Sequence, residues 1–97
     1  MDKQLKDKWI AASVSGDFEQ CQNSLRNDKD QFCCLGVLCK IAGLKEIQRC
    51  DGCYGYLFKK GNELSGLSDE AMNHLVDMND NQNASFAEIA DWIKENL

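Results

Sequence analysis

Cys50-Asp51-Gly52-Cys53 is the segment whose residue types and spacing are best suited to chemistry. Two thiolates separated by a tight turn can grip one side of a tetrahedral zinc ion, and the Tyr54-Gly55 that follows gives the segment the shape of a zinc knuckle. This is half of a ligand set. The other half would have to come from Cys21, Cys33, Cys34, Cys39 or His74, and none of these makes a second Cys-x-x-Cys pair. The competing reading is a β-hairpin that turns at Asp51-Gly52, with two small side chains flanking the turn. Redox catalysis is disfavoured, because a β-turn beside Arg49 offers no helix dipole to lower a thiol pKa and no βαβ setting surrounds it.

The remaining chemical candidates are weaker. Cys33, Cys34 and Cys39 fall on an apolar run, where neighbouring helical residues point about 100° apart and cannot easily converge on one metal. They are expected to pack as small hydrophobes. His74, the only histidine, has polar neighbours in Asn73 and Asp77, so a Cys-His nucleophile would depend wholly on tertiary approach. Asp77, Asp80 and Asp91 are the carboxylates to consider as a group, and a solvated surface explains them equally well.

The elements that must position these residues can be read from periodicity. Leu5, Trp9, Ala12 and Ser13 predict a first helix over about 2–15. From 17 to 30 the pattern breaks up, and a short extended piece is expected near 22–26. The run from Phe32 to Ala42, with Cys34, Val37, Leu38 and Ile41 on one stripe and Gly43 as the stop, predicts a buried central helix. Gly36 inside it costs about 1 kcal/mol relative to Ala, and either that cost is simply tolerated or it marks a place where another backbone comes close. Strands are expected at 47–50 and 53–58 around Asp51-Gly52. Ser68 caps a third helix that should reach Asp77 or Met78, and a polar connector over 79–84 follows. Ser85-Phe86-Ala87-Glu88 is a capping box, and Phe86, Ile89, Ala90, Ile93 and Leu97 form the stripe of the helix it starts.

The 97 residues hold one domain, 1–97, with an α+β architecture of about four helices packed with a small antiparallel β-hairpin. Its expected core is Trp9, Phe32, Val37, Leu38, Ile41, Leu75, Phe86, Ile89 and Ile93. Sixteen acidic residues against eleven basic ones give a net charge of -5, which repels polyphosphate backbones and argues against DNA groove binding. The same charge suits docking on a basic patch. No run approaches the roughly 20 apolar residues that cross a bilayer, and MDKQLKDKWI has no secretory h-region. A cytoplasmic location is expected, with the six cysteines as thiols first, zinc ligands second and disulfides third.

Phe32-Cys33-Cys34-Leu35-Gly36-Val37-Leu38-Cys39, preceded by Trp9-Ile10-Ala11-Ala12 and Leu25-Arg26, resembles a family of small phage and prophage proteins. Gly66-Leu67, Leu75, Met78-Asn79-Asp80 and Ser85-Phe86-Ala87-Glu88-Ile89-Ala90-Asp91-Trp92-Ile93 follow the same pattern in order, so the resemblance covers most of the chain outside 44–64. Lys40 and Ser65 depart from the pattern, and Cys50 and Cys53 lie outside it. Members mostly have no assigned activity. The resemblance implies a small accessory protein made inside a bacterial host cell, without a cofactor. Such a protein would be non-enzymatic and counter-defensive, either inhibiting a host protein or sequestering a nucleotide-like immune signal, and a homo-oligomer is compatible with that role. It also implies a ligand site where polar family positions converge, at Asn79, Asp80, Ser85 and Asp91. The alternatives are a zinc-stabilised interaction module using Cys50 and Cys53, and a small enzyme acting on a nucleotide signal.

Overall fold

A computed structural model describes residues 3–43, 45–48, 54–57 and 67–97. The elements are α1 (Lys3–Val14), β1 (Glu19–Gln20), β2 (Gln31–Phe32), α2 (Cys34–Ile41), β3 (Lys45–Gln48), β4 (Tyr54–Leu57), α3 (Asp69–Asp80) and α4 (Phe86–Asn96). The fold is α+β, as the hydrophobic patterning required. Helix α1 packs against α2 and α4, and α3 packs against the same two helices, so the four surround one core.

Helix α2 is the centre of that core because it is apolar on every side, and all residues from Cys34 to Cys39 are buried. It is shorter at its start than the sequence suggested. Phe32 belongs to β2 and Cys33 is the cap, with its Sγ accepting from the Gly36 N–H at 3.4 Å. Phe32 meets Phe18 edge-to-face at 5.1 Å, which keeps the ring in the core while its backbone stays extended. Trp9, fully buried on α1, donates its Nε1–H to the Cys34 carbonyl at 3.0 Å. The expected core residues are buried, apart from the half-buried Ile41 at the end of α2.

Gly36 meets the backbone that its cost predicted. A Cβ there would lie 1.8 Å from the Leu25 carbonyl oxygen, so a hydrogen at this position is what lets the 21–30 loop cross α2. Gly43 ends the helix region at φ 74.

The strands differ in detail from the expectation. The extended pieces flank the 21–30 loop and pair in parallel, Glu19 with Gln31 and Gln20 with Phe32, while 22–25 bends and Arg26 makes a bridge to Phe32. Between β3 and β4 the pairing is antiparallel, as expected for a hairpin. A two-residue turn at Asp51-Gly52 would set Gln48 opposite Gly55, whereas the ladder sets it opposite Tyr54. Asp51-Gly52, Cys50 and Cys53 lie outside the described residues.

Ser68 caps α3 through the Ala71 N–H at 3.1 Å. The helix runs two or three residues further than the periodicity indicated, to Asp80, and Asn79 in this added stretch is buried. Helix α4 starts at the capping box, in which Ser85 and Glu88 satisfy each other's backbone donors.

Candidate functional site

Asn79 is fully buried, and its amide uses all four of its hydrogen-bonding positions. Its Oδ1 accepts from Gln20 Nε2 at 2.8 Å and from the Cys34 N–H at 3.3 Å, while its Nδ2 donates to the Cys21 carbonyl and to Asp80 Oδ1, both at 2.8 Å. Gln20 Nε2 also donates to the Ala84 carbonyl at 2.8 Å, and Asp80 Oδ1 accepts from the Asn23 N–H at 3.0 Å. The cluster joins the end of α3 to the start of α2 and to the β1 loop.

Of the four polar positions anticipated as a ligand site, the fold therefore brings Asn79 and Asp80 together. Ser85 engages Glu88 at the exposed start of α4, and Asp91 stands exposed midway along that helix. The first two face protein groups.

An open groove of about 430 Å³ runs between α3 and α4, lined by Ser68, Glu70, Ala71, His74, Trp92, Asn96 and Leu97. The exposed His74 ring stacks on the half-buried Trp92, with centroids 4.6 Å apart and planes 27° from parallel. Carboxylates sit one helical turn to either side of both rings. Glu70 and Asp77 flank His74 on α3, and Glu88 and Glu95 flank Trp92 on α4. Asp77 is held below its usual carboxylate value, chiefly by the Asn81 side chain and then by Gln82, with a smaller contribution from the His74 charge. Of the flanking carboxylates, Glu70 lines the groove itself, and a carboxylate beside an aromatic pair attracts a cation by charge and by the ring quadrupole together.

The periodicity of α4 held the signal for this groove, because Trp92 is the large aromatic that falls off the Phe86–Ile89–Ile93 stripe. What the sequence could not supply was its stacking partner. His74 reaches it only through the α3–α4 packing.

A second opening, about 200 Å³, is lined by Asn23, Ser24, Leu25, Cys33, Leu35, Val76 and Asp80. The four described cysteines, Cys21, Cys33, Cys34 and Cys39, are buried thiols. Burial pushes the Cys33 thiol up to about 11 and the Cys39 thiol up to about 12, and it raises Cys34 further still. At neutral pH these three are thiols that serve as packing groups. No group of three metal-ligating side chains occurs among the described residues, and Cys50 and Cys53 are not among them. No described helix is long and apolar enough to cross a membrane.

A small α+β domain is the class these features define. Residues 1–52 match the family described as a domain of unknown function, DUF8296, and with more than half of its length matched the chain belongs to that family. The matched part runs from α1 through α2 to β3, so it holds the central helix and the Cys21–Cys33 loop, while the α3–α4 groove lies beyond it. No curated protein and no solved structure matches the chain.

Proposed function

We propose that this chain is a small phage-type binding protein that acts by occupying a host protein, with the α3–α4 groove as its contact surface. The observation that carries this reading is the His74–Trp92 stack, set in an open groove whose lining includes the Glu70 carboxylate. The net charge of -5 extends the same preference over the whole molecule. The fitting occupant is a basic segment of a protein, one that places a lysine or arginine beside an apolar side chain. The cation meets Glu70 and the open side of the His74–Trp92 pair, while the apolar neighbour covers Ala71 and Leu97.

Counter-defence by inhibiting that host protein follows from the resemblance to small phage proteins. Sequestering a nucleotide immune signal is the runner-up. Phosphates need cationic partners, and the described lining of the groove has no lysine or arginine.

The test is the affinity of a fluorescently labelled amphipathic peptide of lysine and leucine, measured by anisotropy. Trp92→Ala should weaken binding about tenfold, in line with a desolvated cation–π contact. Charge reversal at Glu70→Lys should weaken it several-fold, and binding should fall as salt rises from about 50 to about 200 mM. Equal affinity of the wild type and Trp92→Ala would refute this surface. ATP bound more tightly than the peptide would favour the nucleotide reading.

A further inference from the structure

The β1–β2 ladder pairs Glu19 with Gln31 and Gln20 with Phe32 and ends there, and Cys21 and Cys33 are the residues that follow its last rung. The Cys21 N–H donates to the Phe32 carbonyl at 2.8 Å, which holds the two segments in register up to that rung. Neighbouring strands lie about 4.8 Å apart, within the roughly 4.4–6.8 Å between Cα atoms that a disulfide spans. Side chains alternate along a strand, and Phe32 packs on Phe18 on one side of the ladder. Cys21 and Cys33 therefore share the other side.

Two further observations agree with this placement. Cys21 lies near enough to add a small upward push to the Cys33 thiol, the least of the influences on it. Cys33 also lines the 200 Å³ opening together with Ser24, whose carbonyl oxygen lies 3.5 Å from Cys21 Sγ. Cys34, the neighbour of Cys33, instead directs its Sγ toward the Leu75 carbonyl at 3.6 Å, so the adjacent thiols serve different surroundings.

We propose that Cys21 and Cys33 are a modification site that closes to an intramolecular disulfide by exchange with a small-molecule disulfide of the glutathione class. One cysteine thiolate attacks the reagent S–S bond and displaces one reagent thiolate. The second cysteine then attacks the mixed disulfide and displaces the other. The protein loses two thiol protons and two electrons, and the reagent leaves as two thiols.

The bond would clip the 21–33 loop where it matters most to the fold. The Cys21 carbonyl is held by Asn79, and Cys33 caps α2. Burial raises the Cys33 thiol to about 11, so exchange through Cys33 quickens by about tenfold per pH unit between about pH 7 and 9.

The experiment treats the reduced chain with oxidised glutathione, quenches with acid and maps tryptic fragments by mass spectrometry. The expected product joins fragment 9–26 to fragment 30–40, with fragment ions placing the link at Cys33, and dithiothreitol reverses it. Cys34→Ser should retain this link and Cys33→Ser should lose it. The site is overturned if Cys33 stays free, if Cys21 links elsewhere, if only glutathione adducts form, or if Cys50–Cys53 is the sole bond.

Discussion

Asn79 lies among Asn73, Asn81 and Asn83 in a stretch that the sequence presents as uniformly polar, yet it is the one with no solvent exposure. Its role is tertiary. The partners Gln20, Cys21 and Cys34 come from 45 to 59 residues away, and no local pattern can announce them. The family resemblance suggested a ligand at this position, where the fold supplies four protein groups. Asn79→Ala should strand the Cys34 N–H and the Cys21 carbonyl in the interior, at roughly 2–4 kcal/mol. The thermal midpoint should then fall by on the order of 10 °C. A loss of less than about 1 kcal/mol in urea unfolding would mean that the cluster is not the fastening described.

The thiols give a pH dependence whose sign is fixed by the direction of their shifts. Folded Cys33 and Cys39 titrate near 11 and 12, above the unfolded thiol value of about 8.5, and Cys34 is raised as well. The stability tied to these protonated thiols is complete below about pH 8.5 and is lost as pH climbs toward the folded values. Each thiol contributes a loss of about 1.4 kcal/mol per pH unit inside that window. Cys34→Ala should be about 1 kcal/mol less stable than the wild type near pH 7 and should lose less on going to about pH 10.5. Parallel pH profiles in urea unfolding would place the alkaline sensitivity elsewhere.

Elements with strong local signals were legible. The capping box at Ser85–Glu88, the Ser68 cap and the apolar run of α2 each needed only their own residues. Gly36 was legible too, as a helix position where a favourable Ala is absent. Gly36→Ala improves helix propensity by about 1 kcal/mol but drives a Cβ against the Leu25 carbonyl, a rigid backbone atom. It should lower stability by about 3 kcal/mol or more in denaturant unfolding, and a stabilised variant would contradict the close crossing. The parallel β1–β2 pair was not legible, because two-residue strands carry no period and their register depends on Phe18, Phe32 and the loop over α2. Helix α3 outran its pattern for a similar reason. Burial of Asn79 made a polar residue behave as a core position.

At the scale of the molecule, the packing of α3 and α4 on a common core turns two amphipathic helices into one groove with an aromatic centre and Glu70 at its wall. Charge and helix count were readable beforehand, but the groove was not, since it exists only where His74 and Trp92 meet. The binding reading rests on that meeting. It is tested most directly by amide-resolved NMR of the reduced protein during titration with the lysine–leucine peptide and, separately, with ATP. Peptide-induced shifts concentrated at Glu70, His74 and Trp92, with little response to ATP, are the expected result. Shifts centred on Asn79, Asp80 and Asp91, or an ATP response without a peptide response, would contradict it.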